Sequence, residues 1–450
     1  MKHGLFKKLF LQALRGLSEG HLEIVCPEDT YVFGTPGSQL KAMVVVHHQR
    51  FFRRALFGGD IGLGEAFMHG DWSSPDLVAV VRLAVRNLDR LEQGSRLFSV
   101  LSSVVDAIGH RFRKNTVSGS RSNIGYHYDL GNDFYRLFLD PTMAYSCAYY
   151  ETHRDSLEQA QLRKFDLICR KLQLSPSDRL LEIGTGWGGF AAYAAKHFGC
   201  RITTTTISRQ QYEYARSLFD QLGEAGRRIT LLLEDYRNLQ GQFDKLVSIE
   251  MFEAVGLRYY DTYFGACDRL LKPDGLMFLQ TITMNEQTFP AYHKRSDWIK
   301  KYIFPGAELA SLAEVLSSLG RCARLSLHHA EDIGLHYAET LKAWRERFLA
   351  RSAQVKALGF DDTFLRTWDY YLAYCEGAFR EGYIGDIQMV LRKQNARLPL
   401  SWNAVGSENR REKGLLEGPE ALERLARLAK HGRYKDSIIE DARRKMEAKP

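Results

Sequence analysis

Hydrophobic positions along this chain follow two rhythms. From Asn123 to Asn395, short apolar runs recur at Arg179–Ile183, Arg201–Thr206, Ile229–Leu233, Asp244–Ile249, Leu276–Thr283, Ala323–Leu327 and Ile387–Arg392. Stretches of helical period lie among the first five, clearest at Gly189–Phe198, Arg209–Leu222 and Tyr259–Leu271. Strands that alternate with helices build a parallel sheet with crossovers on both faces. The pattern therefore predicts an α/β fold with a doubly wound, mostly parallel, seven-stranded Rossmann-like sheet. Ligands on such sheets sit at the carboxyl ends of the strands.

The first 110 residues mix the two periods. Strand-like runs at Leu22–Val25, Lys41–His48 and Arg54–Phe57 accompany a helical stretch at Leu77–Leu91, with Ser73, Ser74 and Pro75 as its start signals. A smaller mixed α/β domain over residues 1–110 is expected. The basic, Ser-rich segment 111–122 reads as a linker. Residues 123–395 form the larger domain, and 396–450 a charged tail with one helical stretch at Pro419–Lys430.

Composition narrows the class. With 450 residues and 45% hydrophobic content, the chain can bury a sizeable core. It holds no apolar run of ~18 residues, so no spanning helix is expected. The N-terminus is basic and amphipathic, interrupted by Lys7, Lys8, Gln12 and Arg15, which makes a poor secretion signal. It reads either as a first packed helix or as a helix on a membrane surface. A net charge of +8 suits an anionic partner such as phospholipid, though it also serves solubility alone. No helix-turn-helix or RNP-like strand points to nucleic acid. The seven scattered cysteines include no C-x-x-C pair, so neither a zinc site nor a disulfide framework is expected, and a reducing, cytoplasmic setting fits.

The stretch Leu181-Glu-Ile-Gly-Thr-Gly-Trp-Gly-Gly is the centre of the candidate chemistry. A strand ends in glycines and a helix follows, so the backbone can approach a ligand closely. The pattern E-x-G-x-G-x-G, with Glu182 on the strand end, departs from the pyrophosphate-binding G-x-G-x-x-G. It suits S-adenosylmethionine, a ligand without pyrophosphate. Groups at the next strand ends support this: Thr206, Ile207 and Gln211 after the second, Asp235 and Tyr236 after the third, Ile249 and Glu250 at the fourth. Asp235 can accept from an adenine amino group, and Tyr236 can offer its ring to the base.

Six separated stretches carry a resemblance. They are Tyr126 to Asp140, Met143-Ala-Tyr-Ser-Cys-Ala-Tyr, the glycine turn, Ser248-Ile-Glu-Met-Phe-Glu-Ala-Val-Gly, Lys301-Tyr-Ile-Phe-Pro-Gly, and Asp332 to Leu341. In this order the chain resembles the cyclopropane-fatty-acyl-phospholipid synthases, with the mycolic acid cyclopropane synthases and methyltransferases as relatives, over roughly residues 60–393. The resemblance implies transfer of the sulfonium methyl to a cis double bond of a phospholipid acyl chain, then proton loss and cyclopropane closure. It also implies an N-terminal domain that handles lipid and assists dimer formation, at the cytoplasmic membrane surface. The cofactor would lie against Tyr128, Tyr145, Ser146, Glu182, Gly184, Gly186, Trp187, Thr206, Ile207, Gln211, Asp235, Tyr236 and Ile249. A bound bicarbonate would accept the proton, held by Cys147, Glu253, the backbone around Ile282, and Tyr337. Aromatic faces of Tyr128, Tyr145, Tyr149, Phe252 and Tyr337 would steady the cation.

Two departures qualify this. The family's bicarbonate site includes a histidine on the fifth strand where this chain has Gln280, and Ala254 follows Glu253 where relatives have histidine. A glutamine amide still donates to an anion but carries no charge. Weaker bicarbonate binding follows, and a methylene- or methyl-branched product becomes the alternative to the ring. Without the resemblance, Cys147 reads as a small buried residue and Tyr370, Tyr371 and Tyr374 as core or an acyl channel. On the same terms His127 and His153 read as structural or exposed, and Lys300, Lys301, Arg392 and Lys393 as solvated.

Overall fold

The computed structural model describes residues 2–88 and 130–398. The segment read as a linker, His127, Tyr128, the expected end of the helix at Leu91, and the tail beyond residue 398 with its helical stretch lie outside them. The described residues up to Ala396 form one compact unit.

The N-terminal elements are α1 (Lys2–Ala13), β1 (His21–Val25), β2 (Thr30–Gly34), β3 (Lys41–Val46), α2 (Arg50–Met68), β4 (Trp72–Ser73) and α3 (Leu77–Arg86). The strands form a four-stranded sheet in the order β2-β1-β3-β4. The N-terminal helix is packed: Phe6 meets Phe57 edge-on at 5.6 Å, and Phe10 meets Phe51 at 5.3 Å. Arg54–Phe57 is not a strand but lies inside α2. Four residues fit either period, and Phe52 and Leu56 share the buried face of the helical segment before Gly59, whose φ of +53° kinks the helix. The cap of α3 is Asp76, whose side chain accepts from the Ala79 N–H at 2.9 Å.

The larger sheet follows a short helix α4 (Asn132–Arg136) and α5 (Leu157–Lys171), which opens with a capping box of Ser156 and Gln159. Its elements run β5 (Arg179–Ile183), α6 (Gly189–His197), β6 (Arg201–Thr206), α7 (Arg209–Asp220), β7 (Ile229–Leu233), β8 (Phe243–Ile249), α8 (Tyr260–Leu270) and β9 (Leu271–Met284). Short helices α9 (Phe289–Tyr292) and α10 (Trp298–Tyr302) lead to α11 (Leu312–Cys322), β10 (Leu325–Asp332), α12 (Gly334–Ala350), α13 (Ser352–Ala357), α14 (Asp362–Arg380) and β11 (Ile384–Lys393). The sheet order is β10-β11-β9-β8-β5-β6-β7, with β11 antiparallel to both neighbours and the remaining pairs parallel. This is the expected fold class. The last strands run longer than their apolar runs because polar residues continue the ladder.

Successive residues of β9 serve opposite faces. Met277 and Leu279 join the core formed with α8 and α11, while Ile282 packs into the core that holds α12 and α14. That second core also takes in the N-terminal elements. Helix α14 ties them together: Tyr370 stacks near Phe67 at 5.5 Å, and Gly377 lies under Val81 of α3, where a Cβ would come within 2.6 Å of it. All seven cysteines are free.

Candidate active site

At the end of β5 the chain turns on Gly184 (φ +102°) and Gly186 (φ +53°), conformations that suit glycine. The Gly184 and Thr185 N–H groups both donate to the Thr205 carbonyl at 3.0 Å, which pins the turn to β6. Beneath it, Glu182 accepts from Thr204 Oγ1 at 2.5 Å, and burial pushes its carboxyl up to about 8. The Thr206 hydroxyl donates to the Gln211 amide oxygen at 2.9 Å. Asp235 is buried and accepts from the Arg237 guanidinium at 2.8 and 2.6 Å. The Trp187 indole donates to Asn132 at 2.7 Å, and the hydroxyls of Tyr145 and Tyr371 lie 3.0 Å apart.

Tyr145, Ser146, Glu182, Gly184, Gly186, Trp187, Thr206, Ile207, Gln211, Asp235, Tyr236 and Ile249 all line one cavity of about 1200 Å³. Glu253, Ile282 and Tyr337 line it too. It continues past Tyr371 and Tyr374 to Phe10, Ile24, Val44, Phe51 and Trp72 beside the N-terminal sheet. Its volume exceeds the ~300–1,000 Å³ usual for one small ligand. The polar strand-end region fits S-adenosylmethionine: a turn open to close backbone approach, acceptors at three strand ends, and an aromatic wall. The remainder is mostly apolar and aromatic, with a polar stretch at Lys294, Arg295, Ser296 and Asp297.

A cluster of carboxyl groups lies where the two regions meet. Glu250, just beyond β8, has φ +48°, a strained conformation for a residue with a Cβ. Its Oε1 accepts from the Cys147 N–H and from Gln280 Nε2, both at 2.7 Å, and its Oε2 accepts from the Tyr337 hydroxyl at 2.7 Å. Burial raises this carboxyl; the Lys164 ammonium and the three donors act against the rise. Asp386, on β11, accepts from Gln280 Nε2 at 2.9 Å and is raised well above the usual range by burial and by Glu250. A backbone N–H and an amide N–H₂ can only donate, so Glu250 Oε1 carries no proton; the Lys164 ammonium and the three donors favour the ionised form of Glu250, and its charge favours the protonated form of Asp386. Glu253 accepts from the Ile282 N–H at 2.6 Å and the Thr281 hydroxyl at 2.9 Å, while its Oε2 is buried without a partner. Burial, with the Glu250 charge adding, pushes it up to about 7.

Several expectations are corrected. Cys147, Gln280, the Ile282 N–H and Tyr337 do not surround a space for bicarbonate: three donate to Glu250 and one to Glu253. A bicarbonate there would find its donors taken and would place another anion beside two buried carboxyl groups. The residues present do not fit it. Cys147 and Gln280 are fully buried and lie behind the cavity wall. Tyr149 and Phe252 do not line the cavity; Tyr149 stacks on His336 at 4.5 Å, and Phe252 packs against Tyr260 at 4.4 Å. Tyr370, Tyr371 and Tyr374 are packed and line the cavity as well. Lys300 and Lys393 are buried rather than solvated, Lys300 donating to backbone carbonyls and Lys393 to Asp268.

Sequence reading missed the roles of Glu250, Lys164, Asp386 and Gln388. One signal was available for Lys164: it interrupts the apolar stripe Leu157, Ala160, Lys164, Ile168 of α5. Asp386 and Gln388 likewise alternate on one face of a strand whose other residues up to Leu391 are apolar or glycine.

The family profile described as mycolic acid cyclopropane synthetase matches residues 116–389. The tuberculostearic acid methyltransferase of Mycobacterium tuberculosis is 38% identical over 352 residues, 76% of this chain and 81% of that protein. The cyclopropane-fatty-acyl-phospholipid synthase of Escherichia coli K12 is 39% identical over 350 residues, 75% of this chain and 85% of its own length. Among solved structures, a mycolic acid cyclopropane synthase complexed with SAH and CTAB superposes with a TM-score of 0.57 at 33% identity, over 61% of this chain and 98% of that one. With the glycine turn, the strand-end acceptors and these matches in agreement, the chain belongs to the mycolic acid cyclopropane synthetase family and is an S-adenosylmethionine-dependent methyltransferase.

Proposed function

We propose that this enzyme methylates the cis double bond of an unsaturated phospholipid acyl chain and closes a cyclopropane ring. The observation that carries this reading is one continuous cavity, polar at the glycine turn and mostly apolar and aromatic from Tyr145 to the N-terminal sheet, with carboxyl groups between. S-adenosylmethionine supplies an electrophilic methyl group. An alkene is a weak nucleophile, so the protein's work is alignment and exclusion of water. Tyr145 and Tyr337 line the cavity and supply aromatic rings of the kind that steady a cation. Dryness matters because water would trap the cation as an alcohol.

The net charge of +8 supports action at an anionic bilayer surface, and no helix among the described residues is long and apolar enough to cross it. A homodimer, with the N-terminal domain handling lipid, remains part of this reading. A second outcome, a methylene- or methyl-branched chain, is favoured by Gln280 in place of the family histidine.

The test uses purified protein, S-adenosylmethionine and vesicles of cis-monounsaturated phospholipid, with proton NMR of the extracted chains. Upfield ring protons are expected; vinylic methylene protons would establish the branched outcome instead, and absence of methyl incorporation would overturn both. Glu253→Gln, which removes a titratable carboxyl from the cavity wall beside Glu250, is expected to lower turnover while calorimetry shows unchanged S-adenosylmethionine affinity. Full turnover in that variant would remove Glu253 from the chemistry.

A further inference from the structure

We propose that the Glu250 carboxylate is the enzyme's own proton acceptor, standing where the family resemblance calls for bicarbonate, so that turnover requires no added anion. The inference rests on the methyl-transfer reading above. Cys147, Gln280 and Tyr337, three of the groups expected to hold bicarbonate, all donate to this one side chain at 2.7 Å. Glu250 lines the cavity, so its carboxylate reaches the reacting region, whereas Cys147 and Gln280 reach it only through Glu250. The positive φ of Glu250 is the backbone strain of a side chain held in place by its surroundings.

The orientation of Gln280 is fixed by a chain of donors. Lys171 Nζ, which can only donate, bonds Gln388 Oε1 at 2.8 Å; Gln388 Nε2 then donates to Gln280 Oε1 at 3.1 Å. The Gln280 N–H₂ group is thereby turned toward Glu250. A neutral amide at this position suits a resident carboxylate: it stabilises the charge without competing for the proton. Gln280, Gln388 and Lys171 are positioning residues; Glu250 is the catalytic one.

In the step, the new methyl group on the substrate cation loses a proton to a Glu250 oxygen. The C–H electron pair closes the C–C bond of the ring, or forms the C=C bond of a methylene group once a hydride shift has moved the cation to the methyl-bearing carbon. Glu250 becomes a carboxylic acid and returns the proton to solvent when the lipid leaves.

The test has two arms. In activity assays with vesicles, removing bicarbonate is expected to change wild-type turnover less than twofold. Glu250→Gln should lose at least about 100-fold, at unchanged S-adenosylmethionine affinity. In Glu250→Gly, which frees the three donors and relieves the positive φ, added bicarbonate should restore part of the rate. Independently of turnover, ¹³C NMR with labelled bicarbonate should detect binding to Glu250→Gly and none to wild type. Tenfold or greater loss of wild-type activity without bicarbonate, labelled bicarbonate bound by wild type, or near-normal turnover of Glu250→Gln would overturn the inference. A wild type that methylates no acyl chain sinks the functional reading, and the binding arm still decides whether Glu250 occupies the anion position.

Discussion

Glu182 shows how one buried side chain couples the cofactor end of the cavity to stability. Thr204 donates to it, yet burial dominates and holds its carboxyl near 8, against 4.5 in an exposed chain. Between those values the folded state binds a proton that the unfolded chain has released, so folding is favoured less as pH rises. The contribution of this proton is full below about 4.5 and is lost as pH passes about 8. Glu253, near 7, acts in the same direction. Scanning calorimetry of the ligand-free protein should therefore show Tm falling from mildly acidic to mildly alkaline pH. Glu182→Gln, which keeps an acceptor for Thr204, should flatten part of that fall; an unaltered slope would exclude Glu182 as its source.

Elements meet through small residues placed where two helices close up. Gly377 of α14 sits against Val81 of α3 with no room for a Cβ, whereas Gly320 in α11 has nothing within 4 Å of where a Cβ would stand. Gly377→Val should overpack the contact and cost ~1–3 kcal/mol. Gly320→Ala should instead stabilise by ~0.4–1 kcal/mol, because a helical glycine carries excess unfolded-state freedom. Urea denaturation measures both, and equal effects would refute the packing assignment of α14. The same helix carries Tyr370, Tyr371 and Tyr374 along the cavity, so its fit to the N-terminal elements also sets the shape of the apolar passage.

On the proposed reading, a molecule of net charge +8 meets its substrate at a bilayer. Screening weakens attraction between exposed charges beyond about 10 Å at 0.1 M salt. Cosedimentation with vesicles rich in anionic phospholipid should therefore fall as salt rises to roughly 0.5 M. Binding indifferent to salt would assign membrane attachment to apolar contacts instead.

The alternation of strands and helices, the glycine turn and the strand-end polar groups were readable in the chain because each is a local property. Hydrophobic period and turn chemistry act within a few residues of themselves. Where local signals were short they failed: Arg54–Phe57 fits two periods, and its helix is chosen by the buried face that Leu56 shares with Phe52. Lysine looked like surface, but the fold gives Lys393 an aspartate and Lys300 a set of carbonyls, so their stems can be buried. Gln280 was read correctly as a donor and given the wrong acceptor. Its true partner depends on α5, the turn after β8 and β11 meeting at one point, and residues 164, 250 and 386 are too far apart in sequence for any periodicity to relate them. Folding alone sets which carboxyl keeps its charge in that dry cluster, because desolvation and hydrogen bonding there are properties of the assembled surroundings.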